Sequence, residues 1–153
     1  MVADSVEREV LIEAPPDVVW RVITEPRHIE RWFVDEAELD PRPGGQGLLT
    51  FRHTPTGEHL YRLQVVAAER PHRFVYRWMH SDGVHPAEGN SVLVEFTLTA
   101  EGEGTRLRVV ESGIQALEWA EDEKSRYVQD HNNGWVRILG RLQDYAPEVA
   151  AGR

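Results

Sequence analysis

Two residues of this sequence sit among neighbours of the wrong kind. Between Thr105 and Ser112 the alternate positions Leu107, Val109 and Glu111 share one strand face, so a carboxylate stands where the period-2 pattern asks for an apolar side chain. Between about Gln115 and Tyr145, stepping 100° per residue gathers Leu117, Lys124, Val128, His131, Trp135, Ile138, Leu139 and Leu142 into one stripe, with an imidazole in its middle. A carboxylate that holds one ring nitrogen of an imidazole leaves the other as a proton acceptor. That pairing serves either as a general base or as a polar anchor for a ligand. Glu111 and His131 are therefore the catalytic candidates. The plainer alternative is a histidine that makes one hydrogen bond in the core, and strand parity alone does not choose between the two.

Around this pair the sequence offers apolar walls. Arg73 to His80 puts Phe74, Tyr76, Trp78 and His80 on one face, and Trp32 and Phe33 close a short helix. Trp32, Phe33, Phe51, Trp78, Phe96, Val128 and Trp135, with Tyr61, His80, Glu111 and His131 as polar contacts, have the make-up of a small-molecule site: mostly apolar lining and a few polar groups. The aromatic members equally suit a filled core. A metal is not expected, because His53, His59, His72, His80 and His85 show no ligand spacing and cysteine is absent. Gly44-Gly45-Gln46-Gly47 does not lead from a strand into a helix, so it reads as a turn and not as a phosphate loop. Lys124, the single lysine, is expected to run its amine to solvent near the helix start.

The elements that must carry these residues follow from periodicity. Ser5 to Glu13 alternates as a strand, Ala14-Pro15-Pro16 turns, and Asp17 onward is apolar at helical spacing until Pro26. A second short helix spans Pro26 to Arg31. Strands are predicted over Gly47 to His53, His59 to Glu69, Arg73 to His80, Ser91 to Ala100 and Thr105 to Ser112, separated by Gly- and Pro-bearing turns and by a loop from Ser81 to Asn90. The last helix has acid at its start, Arg near its end, and Pro147 to close it. Hairpin-length connections imply an antiparallel sheet, with helices set apart at the ends of the chain. The fold class is α+β: a curved six-stranded sheet around one long C-terminal helix, with two short helices after the first strand.

At 153 residues the chain is expected to form a single domain over 1–153, its core spanning about 6–146. The net charge of −9 provides no basic footprint, so a nucleic-acid partner is not expected. No apolar run is long enough to cross a bilayer and no basic-then-apolar leader opens the chain, which points to a cytoplasmic protein without a membrane partner. The arginine-for-lysine skew suggests a GC-rich bacterial source.

Several local motifs carry a family resemblance. Val10-Leu11-Ile12-Glu13-Ala14-Pro15-Pro16-Asp17-Val18-Val19-Trp20 resembles the opening strand, Ala-Pro turn and Val-Trp helix of the START-related helix-grip (SRPBCC) superfamily, and Trp32-Phe33 is similar to its next landmark. Arg73-Phe74-Val75-Tyr76-Arg77-Trp78, the segment ending in Glu111-Ser112-Gly113, and Gly134-Trp135 followed by Leu139, Leu142 and Tyr145 resemble the branch related to the activator of the heat-shock-protein ATPase. The likeness runs from about Val6 to Tyr145. It implies a hydrophobic cavity between sheet and helix that takes a small apolar or amphipathic molecule. The leading expectation is thus a non-catalytic binding protein, monomeric or weakly dimeric, without a cofactor. An enzyme of cyclase, hydrolase or dehydratase type using His131 and Glu111 comes second. A module acting on a chaperone ATPase comes third.

Overall fold

The computed structural model describes residues 4–78, 85–87 and 89–152. Its elements are β1 (Ser5–Ile12), α1 (Pro16–Thr24), α2 (Pro26–Trp32), β2 (Glu36–Leu39), β3 (Gln46–Thr54), β4 (Gly57–Glu69), β5 (Arg73–Trp78), β6 (Val92–Glu101), β7 (Gly104–Ser112), a 3-10 turn (Ile114–Ala116) and α3 (Glu121–Ala150). The strands form one antiparallel sheet in the order β1-β7-β6-β5-β4-β3-β2. Seven strands replace the six expected. The extra one, β2, is four residues of sequence Glu-Ala-Glu-Leu, and its buried position is only an alanine. So short and acid-rich an edge strand alternates over only four residues, too few to stand out from the turns around it; its pairing to β3 holds it in place.

Proline punctuates the first half as its covalent geometry requires. Pro16 opens α1, where a missing N–H breaks no helical bond, and Pro26 forces Glu25 into extended backbone (φ −91°, ψ 126°), which ends α1 before α2 begins. Both helices bury one face, with Val19, Val22, Ile23, Ile29 and Trp32 entering the core. The sheet's inner face gives Phe74, Tyr76 and Trp78 from β5, Val92, Val94, Phe96 and Leu98 from β6, and Leu107, Val109 and Glu111 from β7, all buried. Its outer face carries exposed cross-strand ion pairs such as Glu7–Arg108 and Glu9–Arg106, each worth at most about 1 kcal/mol.

The long helix differs from the expected range at both ends. Gly113 takes φ +92°, a conformation that favours glycine, and turns the chain out of β7 into the 3-10 turn. Leu117 is then extended, so α3 starts at Glu121 and not near Gln115, with Glu121, Asp122 and Glu123 in its first turn. At the far end Pro147 lies inside the helix. A proline there loses the bond of its own nitrogen and crowds the carbonyl four residues earlier. The fully buried Ala146 anchors this last turn, and the Pro147 carbonyl still accepts from Ala151 at 3.0 Å. Lys124 does not reach solvent: 6% exposed, it donates its ammonium to the Gln115 carbonyl at 2.9 Å and ties the 3-10 turn to α3.

Candidate functional site

Glu111 is completely buried on β7, in a cross-strand row with Val94 of β6 and Val6 of β1. A lone carboxylate there would be strongly disfavoured; this one accepts hydrogen bonds from four aromatic side chains. Oε2 takes the Trp78 indole N–H at 2.9 Å and the Tyr127 hydroxyl at 2.5 Å. Oε1 takes the Trp135 indole N–H at 3.1 Å and pairs with Nδ1 of His131 at 2.7 Å. Trp78 ends β5, while Tyr127, His131 and Trp135 stand four residues apart on α3, so one helix face meets one carboxylate. Burial opposes the charge on Glu111, but the facing His131 and the hydrogen bonds from His131, Tyr127 and Trp78 outweigh it and hold the carboxyl below its ordinary value. Tyr127 responds in the opposite sense. Burial and then the Glu111 charge push its phenol well above the usual value, so it stays a donor.

This arrangement fixes the imidazole. The ring of His131 stacks on Tyr127 (centroids 3.8 Å apart, 17° between planes) and stands edge-on to Trp78. In a neutral ring, giving Nδ1–H to Glu111 leaves the lone pair on Nε2. His131 is only 11% exposed at its side chain, and that exposure faces a cleft of about 520 Å³ between α3 and β3 to β5. Phe33, Phe51, Tyr61, Trp78, His131 and Trp135 form its inner wall; Thr54, Thr56, His59, Asp130, Asn133 and Arg137 contribute polar lining. Phe33 is the hub of the aromatic wall, 5.6 to 6.0 Å from the rings of Phe51, Trp78 and Trp135.

The expected site residues thus divide. Glu111 and His131 are joined directly, and Phe33, Phe51, Tyr61, Trp78 and Trp135 line the same cleft as His131. Glu111 itself lies beneath that wall, bonded to its members Trp78, His131 and Trp135. Trp32 and Phe96 border a separate void of about 10 Å³, the Trp32 indole being given to the Val22 carbonyl. Val128 is half-buried against the core and forms no part of the cleft wall, because Tyr127 takes the place on α3 that faces Glu111. His80 lies outside the described residues. Sequence reasoning passed over Tyr127, whose signal was the four-residue spacing to His131 and Trp135. It also passed over His28, whose Nδ1 lies 2.7 Å from the Tyr145 hydroxyl, a contact between α2 and α3 that no local pattern marks. Among the described residues no three His, Asp or Glu side chains are grouped as metal ligands, and no helix is long and apolar enough to cross a membrane.

Residues 13–146 match the family described as Activator of Hsp90 ATPase homolog 1-like protein. The chain belongs to that family. Members of the wider helix-grip superfamily share the curved sheet and long C-terminal helix seen here, and solved structures repeat them. Protein MLL2253 from Mesorhizobium loti is 26% identical with a TM-score of 0.73, the match covering 92% of this chain and 94% of that one. CalU16 from Micromonospora echinospora is 26% identical with a TM-score of 0.69, covering 95% of this chain and 78% of that one. DynU16, a protein of the dynemicin biosynthetic locus, is 25% identical with a TM-score of 0.75; 99% of this chain aligns to half of its length. A search of curated proteins found no match. The family fold is a ligand-binding fold in general.

Proposed function

We propose that this activator-homologue domain binds a small, largely apolar molecule in the cleft between the sheet and α3, with His131 as its polar anchor. The observation that carries the reading is the cleft itself: about 520 Å³, walled by five aromatic rings, with an imidazole oriented by a buried carboxylate. Aromatic walls supply affinity without direction; a single fixed nitrogen supplies orientation. The similarity to DynU16, from a biosynthetic locus for dynemicin, fits a natural product or its precursor as the class of molecule. Native mass spectrometry of the purified protein, followed by a panel of apolar aromatic and polyketide-like compounds, tests this. A retained or titratable ligand whose binding weakens at least ten-fold in His131→Ala is the expected outcome. Absence of any binder across the panel would sink it.

A second reading has its own support in the 2.7 Å contact between Glu111 and His131. With Nδ1–H held by the carboxylate, Nε2 is a general base able to take a proton from a water or from a carbon beside a ligand carbonyl, the first step of a cyclase, dehydratase or hydrolase. Turnover of a bound compound should fall about a hundred-fold or more in His131→Gln, while affinity falls far less than rate. Equal loss of affinity and rate would leave His131 as an anchor only.

A further inference from the structure

The hydroxyl of Tyr76, on the inner face of β5, is buried and has no hydrogen-bond partner. Buried polar groups are nearly always satisfied, and an orphan destabilises the fold that contains it. Tyr127, the other buried phenol near Glu111, donates a hydrogen bond to that carboxylate. Tyr76 borders the void of about 10 Å³, whose other walls include Ile23, Leu49, Leu63 and Phe96. The void is no larger than a single water needs. It also lacks the two or more polar partners that would hold one, since the Trp32 indole is committed to Val22.

Void and cleft share one lining side chain, Phe33. Phe33 caps α2, and the next residue has already left the helix. A ring at the end of an element can turn without unwinding it, and turning would join the two spaces. We infer that the void is the inner end of the ligand site, where an apolar aromatic ligand displaces the Phe33 ring and places a neutral carbonyl oxygen on the Tyr76 hydroxyl. The inference rests on the cleft-binding reading and adds to it the functional group that the ligand carries. Burial and the nearby Glu111 charge both keep the Tyr76 phenol protonated, so it has a proton to give. The same negative charge disfavours an anionic ligand group at that spot. A ketone or aldehyde answers both conditions.

The fluorescent naphthyl ketone prodan, compared with the dimethylaminonaphthalene that lacks its ketone, tests this on the whole chain. The wild type should bind prodan about five-fold more tightly than the ketone-free compound, the scale of one net hydrogen bond. Tyr76→Phe should bring that ratio to about one, shift bound prodan emission to the blue, and raise the unfolding midpoint, because the substitution removes an unsatisfied hydroxyl. Equal affinity for the two probes in wild type, unchanged by Tyr76→Phe, would overturn the inference and leave the cleft reading standing. Binding of neither probe would remove both. A lowered midpoint in Tyr76→Phe would mean that the hydroxyl has a partner in the free protein, which also overturns it.

Discussion

Two histidines of this domain are built almost alike and lead to different chemistry. His131 on α3 and His28 on α2 are 11% and 10% exposed at their side chains, and each engages an oxygen through Nδ1 at 2.7 Å. The oxygen differs. For His131 it belongs to Glu111, a carboxylate with three further donors beneath a cleft; for His28 it is the neutral hydroxyl of Tyr145, with Arg31 lying over the tyrosine ring. Burial lowers the pKa of His28 first and Arg27 next; Glu25 pulls the other way, and Arg21 and Arg31 add smaller lowering contributions. The same side chain is therefore a structural plug at one end of α3 and an oriented, cleft-facing group in its middle. Partner charge and access decide which, while depth of burial does not distinguish them.

The largest test of that contrast is Glu111→Ala. Removing the carboxylate strands two indoles, a phenol and an imidazole inside the protein, and breaking a buried ionic site from one side costs about 3–5 kcal/mol. We expect the upper end, read by chemical denaturation, because four donors lose their acceptor together. A loss near 1 kcal/mol would mean that water reaches the site and that the network is no deeper than the His28 contact. Next comes Trp135→Ala, expected to cost about 3–5 kcal/mol as a buried aromatic normally does. Trp135 is 2% exposed and packs on Phe33 and Phe96, so a near-zero change would mean that α3 sits on the sheet by another face.

A closer comparison deletes one hydroxyl at each histidine. Tyr127→Phe removes a bond to a charged acceptor and should cost about 2 kcal/mol; Tyr145→Phe removes a bond to a neutral ring nitrogen and should cost about 1 kcal/mol. Equal costs by thermal and urea unfolding would erase the distinction between the two sites.

Strand parity and helical periodicity brought Glu111 and His131 to facing surfaces because each violated an otherwise apolar stripe, and such violations are local. What surrounds them was hard to read for the same reason. Tyr127 and Val128 are adjacent, and a hydropathy stripe prefers the valine; only the three-dimensional demand of Glu111 for donors selects the tyrosine. Phe33 and Phe96 look equivalent as aromatics, yet Phe33, at the end of α2, lines the cleft, while Phe96, on β6, borders only the inner void. β2 escaped because edge pairing needs little from its side chains. Pro147 misled because the end of a buried helix tolerates one absent donor.

The smallest effect separates the two histidine sites by pH. His28 has a lowered pKa in the folded chain, so on acidification the unfolded chain takes up the proton first. Its contribution to stability is therefore complete above the unfolded value of about 6.5 and declines as the pH falls through the folded value. Glu111 obeys the same sign at a lower range: its carboxyl is also held below the ordinary value near 4.5, so its contribution is present above that pH and is lost as acid protonates the folded state. Stability measured by urea unfolding from pH 7.5 downward should fall in two stages, a shallow one starting near pH 6.5 and a steeper one below pH 4.5. His28→Gln should abolish the first stage and leave the second. If His28→Gln left the upper stage intact, the imidazole beside Tyr145 would not be the group that resists protonation. The acid sensitivity of the α2–α3 junction would then belong to another pair.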